Sequence, residues 1–178
     1  ILAYPAIAKL KSKYPNASIY FWTFKENLDV LTLFKFIPKN NIITVRTKSL
    51  FVLFLDLLTS IRMIRRYKPD IVIDLEIFTR FSSVLSYFSG AKIRIGFYRY
   101  SLEGLYRGDL YTHKVMYNHY FHISDNFLSL VDVLGISYKD VPLLKEVYKP
   151  RNVSLPKVLG DEKCILNKLK KRNEFIQD

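Results

Sequence analysis

Residues 68–97, KPDIVIDLEIFTRFSSVLSYFSGAKIRIGF, restrict the possible folds of this chain more than any other stretch. Ile71, Val72, Ile73, Asp74 and Leu75 form a short, β-branched run without apolar–polar alternation. Such a run suits a strand buried on both faces of a parallel sheet. Glu76 to Arg80 make a mixed exit, and from Phe81 to Phe88 the apolar spacing becomes helical. Gly90 closes that helix, and Ile93 to Phe97 begin another strand. The unit is strand–loop–helix–strand, whose crossover is nearly always right-handed. In open α/β sheets ligands sit at the carboxyl ends of strands, where Asp74, Glu76, Thr79 and Arg80 fall.

The rest of the chain continues the alternation. Leu2, Ala6, Ile7 and Leu10 predict a helix over residues 1–14, with Lys9, Lys11 and Lys13 mostly elsewhere on the wheel. Pro5 then belongs to its first turn, where a missing N–H costs nothing, and Pro15-Asn16 stops it. A strand is expected just before this helix. Ser18 to Phe24 reads as a strand, Glu26 to Phe34 as a short helix and Ile42 to Val45 as a strand. Ser49 to Arg66 reads as a long amphipathic helix whose basic end suits the helix dipole. Residues 98–122 are irregular and aromatic, a loop length usually tied to function. Ser124 or Asp125 caps a further helix through Leu134, which Gly135 ends. The predicted class is α/β, a Rossmann-like, doubly wound and mostly parallel sheet over residues 1–135. Residues 136–178 read as a Pro-containing connector followed by a Lys-rich helix.

The balance of charge bounds the partners. The 178 residues carry 28 Lys and Arg against 16 Asp and Glu, a net +12. That excess favours an acidic partner, whether nucleic acid, anionic lipid or a phosphorylated substrate. A hydrophobic share of 49% with only 6 Gly and 7 Pro makes the chain globular. The single cysteine, Cys164, excludes an intrachain disulfide or a Cys-rich zinc site and fits a reducing compartment. The apolar run at 50–55 is broken by Asp56, far short of the roughly 20 residues that span a bilayer. No signal peptide is visible, and the opening Ile-Leu-Ala reads as cut from something longer.

Several residues carry candidate chemistry, each with a plainer use. Asp74 and Glu76 alternate on an extended backbone and point the same way, as acid, base or metal ligands. The plainer uses are a cap for Asp74 and an ion pair with Arg80 for Glu76. Thr79 is a fair N-cap, and a cation at Arg80 is misplaced by about 0.3–1 kcal/mol unless an anion binds there. A bound anion would turn Arg80 into a bidentate clamp. Arg94, Arg99 and Arg107 add charge near the same sheet edge, interleaved with Tyr98, Tyr100, Tyr106 and Tyr111. Flat aromatics among cations suit sugar rings or bases. His113, His119 and His122 cluster without a Glu or Cys at ligand spacing, so packing or substrate contact is expected over metal. Neither a dinucleotide fingerprint nor a P-loop occurs.

Taken together, PAIAKLKSKYP, KPDIVIDLE, FTRFSSVLSYFSGAKIRIGF and YNHYFHISDNFLSLVDVLG resemble, in order and spacing, segments of glycosyltransferase family 9, the bacterial lipopolysaccharide heptosyltransferases. The resemblance covers about residues 1–135, with His122 at the family's histidine. It implies the amino-terminal half of a GT-B enzyme that transfers a sugar from a nucleotide-sugar to a lipopolysaccharide or other cell-surface glycan. The reaction it implies is inverting, needs no metal and uses no other cofactor. The partners it implies are a phosphorylated, lipid-linked saccharide acceptor and the anionic inner face of the cytoplasmic membrane. Acceptor contacts would come from Asp74, Glu76, Thr79, Arg80, Arg94, Tyr98, Arg99 and His122. The general-base aspartate would lie upstream of Ile1 and the nucleotide-sugar domain beyond Asp178, so this polypeptide alone is expected to be inactive. The alternative is a non-catalytic basic α/β domain that binds nucleic acid or a membrane surface. Against nucleic acid, the basic residues are spread along the chain and no recognisable binding motif occurs.

Overall fold

The computed structural model describes residues 2–33, 37–99 and 107–135; Tyr100, Tyr106 and the connector and helix expected at 136–178 lie outside the described residues. The elements run α1 (Tyr4–Lys13), β1 (Phe21–Phe24), a 3-10 turn (Lys25–Asn27), α2 (Leu28–Leu33), a second 3-10 turn (Lys39–Asn41), β2 (Ile42–Val45), α3 (Leu50–Tyr67), β3 (Ile71–Asp74), α4 (Arg80–Phe88), β4 (Ile93–Arg99), β5 (His113–Met116) and α5 (Ile123–Asp132). Local sequence accounts for most of the boundaries. Pro5 opens α1 in its first turn. The Ser49 hydroxyl accepts from the Val52 N–H at 3.3 Å and caps α3. Gly90 and Gly135, at φ +80° and +95°, reverse the chain after α4 and α5, where a side chain would be strained.

All strand pairs are parallel. They form two small sheets, β1-β2 and β3-β4-β5, so the class is α/β and consistent with a Rossmann-like arrangement. The one continuous sheet expected from the alternation is divided: among the described residues β1 and β3 are not neighbours. The pairs β2-β1 and β3-β4-β5 match the two flanks of the doubly wound order third-second-first-fourth-fifth-sixth, in which the strand ahead of the first helix lies between them. The strand expected from Ser18 begins at Phe21, because its partner β2 offers only Ile42–Val45 to pair with. The segment expected to be irregular at 98–122 contains β5, which extends the second sheet beside β4.

Side chains alternate across β4, and this sorts the helices by face. Ile95 and Phe97 are fully buried in a cluster with Ala6 of α1 and Phe127, Leu130, Val131 and Leu134 in and just after α5. Arg94 and Gly96 face the other way. The Arg94 guanidinium lies 5.5 Å from the centre of the Tyr87 ring of α4. Helices therefore cover both faces of β3-β4-β5, as a buried parallel sheet requires. Lysines of α1 expected on its free face instead tie it to α5: Lys9 pairs with Asp132, and Lys13 Nζ donates to the Leu134 carbonyl. On the opposite face α3 and α4 meet where Arg65 Nε donates to the Phe88 carbonyl at 2.8 Å. Tyr20 stacks on Tyr67 with ring centres 4.5 Å apart, joining the approach to β1 to the end of α3. Among the described residues no helix is long and apolar enough to cross a membrane.

Candidate functional site

The carboxyl ends of β3, β4 and β5 lie along one edge because the strands are parallel. Both α4 and α5 start within a few residues of a strand end, so their amino termini rise from that edge. Each brings partial positive charge. The first turn of α4 has no acidic residue and opens on Arg80, whereas α5 carries Asp125 in its first turn.

Beneath the β3–α4 turn lies a buried polar framework. Asp74 is the last residue of β3, and its carboxylate is committed on both sides. Oδ1 accepts from the Glu76 N–H at 2.9 Å, which forms the turn. Oδ2 accepts from Arg107 Nη2 at 2.8 Å and from the Tyr111 hydroxyl at 2.6 Å. Arg107 is only 2% exposed. Its remaining donors reach the Thr79 carbonyl at 2.9 Å and the Phe97 carbonyl at 3.3 Å, together with the Glu76 carbonyl and the Ser82 hydroxyl. One guanidinium thus fastens the end of β3, the end of β4 and the start of α4. Its planar fork of five donors is the group that can do this. Burial and the neighbouring Asp74 carboxylate push the Tyr111 phenol well above its ordinary range, so it stays protonated and donates.

The framework explains Gly96. A Cβ there would lie 2.5 Å from Cε1 and Cζ of Tyr111. The ring cannot retreat, because its hydroxyl is held by Asp74 and its face lies 5.3 Å from the Arg107 guanidinium carbon. Only glycine lets the phenol cross β4 to reach the carboxylate.

The sequence-chosen residues divide accordingly. Asp74 belongs to the buried framework, held by Arg107, Tyr111 and the Glu76 N–H rather than capping a helix, the plainer use expected of it. The carboxylate of Glu76 accepts from the N–H groups of Ile77 and Phe78, at 3.1 and 3.3 Å, and shapes its own turn. Thr79 is the N-cap residue of α4, but its side chain makes no capping bond; its hydroxyl lies 3.2 Å from that of Ser82. Arg80 is exposed at the first position of α4. Arg94 sits at the amino end of β4, level with Val72, away from the ligand edge. Its guanidinium donates to the carbonyls of Leu110 and Ala91, at 2.8 and 2.7 Å. Tyr98 and Arg99 lie at the carboxyl end of β4, Tyr98 half-buried and the Arg99 side chain outside the described residues. His122 is the N-cap of α5: its Nδ1 accepts from the Ser124 N–H at 3.3 Å, the role expected of Ser124 or Asp125.

The edge therefore groups Glu76, Thr79, Arg80, the end of β4 and His122, supported from below by Asp74, Arg107 and Tyr111. Arg107 and Tyr111 had been read as possible ligand-facing charge and ring, and both are buried. His113 and His119 go elsewhere: His113 Nδ1 lies 2.9 Å from the Thr112 hydroxyl, and His119 packs edge-on to Tyr117 at 5.3 Å. Among the described residues no three His, Cys, Asp or Glu side chains are grouped to hold a metal ion. The arrangement offers cationic and dipolar recognition of an anion, and the Ser124 hydroxyl lies within hydrogen-bond reach of His122 Nδ1 at the start of α5. No family model, curated protein or solved structure matches this chain.

Proposed function

We propose that this chain is the acceptor-side domain of a GT-B glycosyltransferase that adds a sugar, from a nucleotide-sugar, to a phosphorylated, lipid-linked cell-surface saccharide. The observation that carries the reading is the parallel-strand edge from which α4, opening on exposed Arg80, and α5 both rise by their amino termini. Two helix amino termini and a guanidinium on one edge suit an anionic group on an acceptor. The segments of sequence that resemble family 9 fall on the elements that build this edge: KPDIVIDLE on β3, FTRFSSVLSYFSGAKIRIGF on α4 and β4, and YNHYFHISDNFLSLVDVLG on α5. In this reading Arg80 clamps phosphate, Thr79 and Glu76 contact saccharide hydroxyls, and His122 borders the same surface. Tyr98 and Arg99 extend it along β4. Asp74 acts from the framework, and Arg94, at the amino end of β4, holds the carbonyls of Leu110 and Ala91; neither touches acceptor. In this reading the general base and the nucleotide-sugar site belong to other parts of the same enzyme, outside residues 1–135.

Calorimetry with a lipopolysaccharide core oligosaccharide, intact and enzymatically dephosphorylated, tests the reading. The intact oligosaccharide is expected to bind, and Arg80→Ala to weaken it at least about tenfold, the loss of one charge-assisted contact of about 1.5–3 kcal/mol. Equal affinity for the dephosphorylated form, or an unchanged affinity in Arg80→Ala, would sink the assignment.

A further inference from the structure

The outer faces of α3 and α4 are apolar where a covering helix should be polar. Leu50, Phe51 and Phe54 are 86%, 72% and 59% exposed, and Leu55 is exposed beside them. On α3 these residues share one helical face with Arg62, Arg65 and Arg66, at spacings of three, four and seven. The opposite face buries Leu57, Ser60 and Ile64 against the rest of the protein. Phe78, Phe81, Val84 and Phe88 are likewise exposed on and beside α4. The two helices are joined where Arg65 reaches the Phe88 carbonyl. An exposed aromatic and aliphatic group of this extent marks an interaction surface.

Charge identifies the occupant. The only acid of α3 is Asp56, which lies off this face and is held by Arg46 in a two-pronged ion pair at 2.8 and 2.9 Å. Residues 77–92 contain no acid at all. The cations bordering the apolar residues are Arg62, Arg65, Arg66 and Arg80. Leucine and phenylalanine on one helix face, flanked by arginines with no carboxylate among them, is the composition of an interfacial helix. The rings enter the headgroup boundary while the guanidinium groups hold lipid phosphates.

We infer that the α3–α4 face docks on an anionic lipid bilayer, with Phe51 and Phe54 entering the acyl boundary and Arg62 and Arg66 pairing with headgroups. This deepens the proposed function by naming the surface that meets the membrane, but it stands on residues distinct from those of the acceptor edge, Arg80 apart.

Co-sedimentation of the full chain with sucrose-loaded vesicles tests it, comparing phosphatidylcholine alone with phosphatidylcholine and phosphatidylglycerol in equal parts. Binding to the mixed vesicles only, weakening as salt rises, is expected. Phe51→Ser with Phe54→Ser should cut the partition coefficient at least about tenfold. Arg62→Glu with Arg66→Glu should cut it by more, because about fivefold is lost for each cation near the surface. All four residues are exposed, so circular dichroism should show both variants folded. In a Phe54→Trp variant, a bromine-labelled lipid should quench the new fluorescence. Equal binding by wild type and both variants would overturn the inference. So would wild-type affinity for single-stranded RNA with none for vesicles, or a solution dimer that the Phe51/Phe54 variant dissolves without any vesicle binding. If vesicle binding fails while phosphorylated oligosaccharide still binds through Arg80, this surface assignment falls and the acceptor reading stands.

Discussion

Replacing Arg107 with alanine should destabilise this protein more than almost any other single change. The side chain is buried, and it joins Asp74 at 2.8 Å to the carbonyls of Thr79 and Phe97 at 2.9 and 3.3 Å. Its loss leaves the Asp74 carboxylate inside the protein with only the Tyr111 hydroxyl and the Glu76 N–H as donors. Breaking a buried ion pair by removing one partner costs about 3–5 kcal/mol. The abandoned carbonyls add to the cost, each by about 1–3 kcal/mol at most, and not additively. Against a total stability of about 5–15 kcal/mol, the variant should be marginal. At roughly 2–4 °C per kcal/mol for a chain of this length, Tm should fall by about 6–20 °C. Urea unfolding followed by circular dichroism measures the loss, with the slope compared to confirm that the unfolded state is unchanged. Arg107→Lys should recover only part of the stability, since an ammonium cannot present the planar fork that reaches three elements together. Asp74→Asn combined with Arg107→Ala should cost less than the two changes summed, by about 0.5–3 kcal/mol. A loss under about 1 kcal/mol for Arg107→Ala, or strict additivity in the cycle, would refute the framework described for this edge.

Three further outcomes follow from the same geometry. Gly96→Ala should cost about 1–3 kcal/mol by driving a methyl into the Tyr111 ring, and Tyr111→Leu in the same chain should relieve part of that; thermal melts of the three variants decide it. The Asp56 carboxyl, held down from 3.8 to about 2 chiefly by hydrogen bonds from the Arg46 side chain and N–H, should titrate near that value by carbon-detected NMR. Its folded value is depressed, so the stabilisation from this exposed pair is complete above the ordinary carboxylate value and drains away as pH falls towards 2; Arg46→Ala should raise the midpoint part of the way towards 3.8, since the N–H of residue 46 still donates. Ser49→Ala should lower stability by about 1 kcal/mol through the lost cap on α3, read from the urea midpoint, and an unchanged midpoint would argue against the cap.

Elements set by local chemistry could be read from the sequence. The β-branched run at 71–75, the start of a long helix at Ser49, Pro5 and the helical spacing at 81–88 each specify their structure within a few residues. β5 could not be read, because HKVM sets two polar residues before two apolar ones, without alternation, and gains its order from β4. The edge site was half legible. Parallel topology predicts where ligands gather, and Thr79, Arg80 and His122 lie there. Whether a cation faces solvent or holds the fold is decided by partners distant in sequence. Arg107 meets Asp74 across 33 residues, and Tyr111 meets it across 37. The close approach of Tyr111 to Gly96 was the one local trace of that framework, and a lone glycine in a strand signals only that something passes near. How much of α3 stays exposed is not legible for a related reason. Its period predicts an amphipathic cover, but β2 and its neighbours take only one side of its apolar surface.

The seam between the two sheets carries a practical consequence. Among the described residues, β1 and β3 each keep one flank of N–H and C=O groups without a strand alongside. Both flanks run in the parallel sense, and β3 is an unbroken Ile-Val-Ile run with neither proline nor lysine to discourage a visitor. Either flank is a template for an extended, apolar stretch of any polypeptide. A strand laid parallel to both flanks would join β2-β1 and β3-β4-β5 into the one sheet that their order describes.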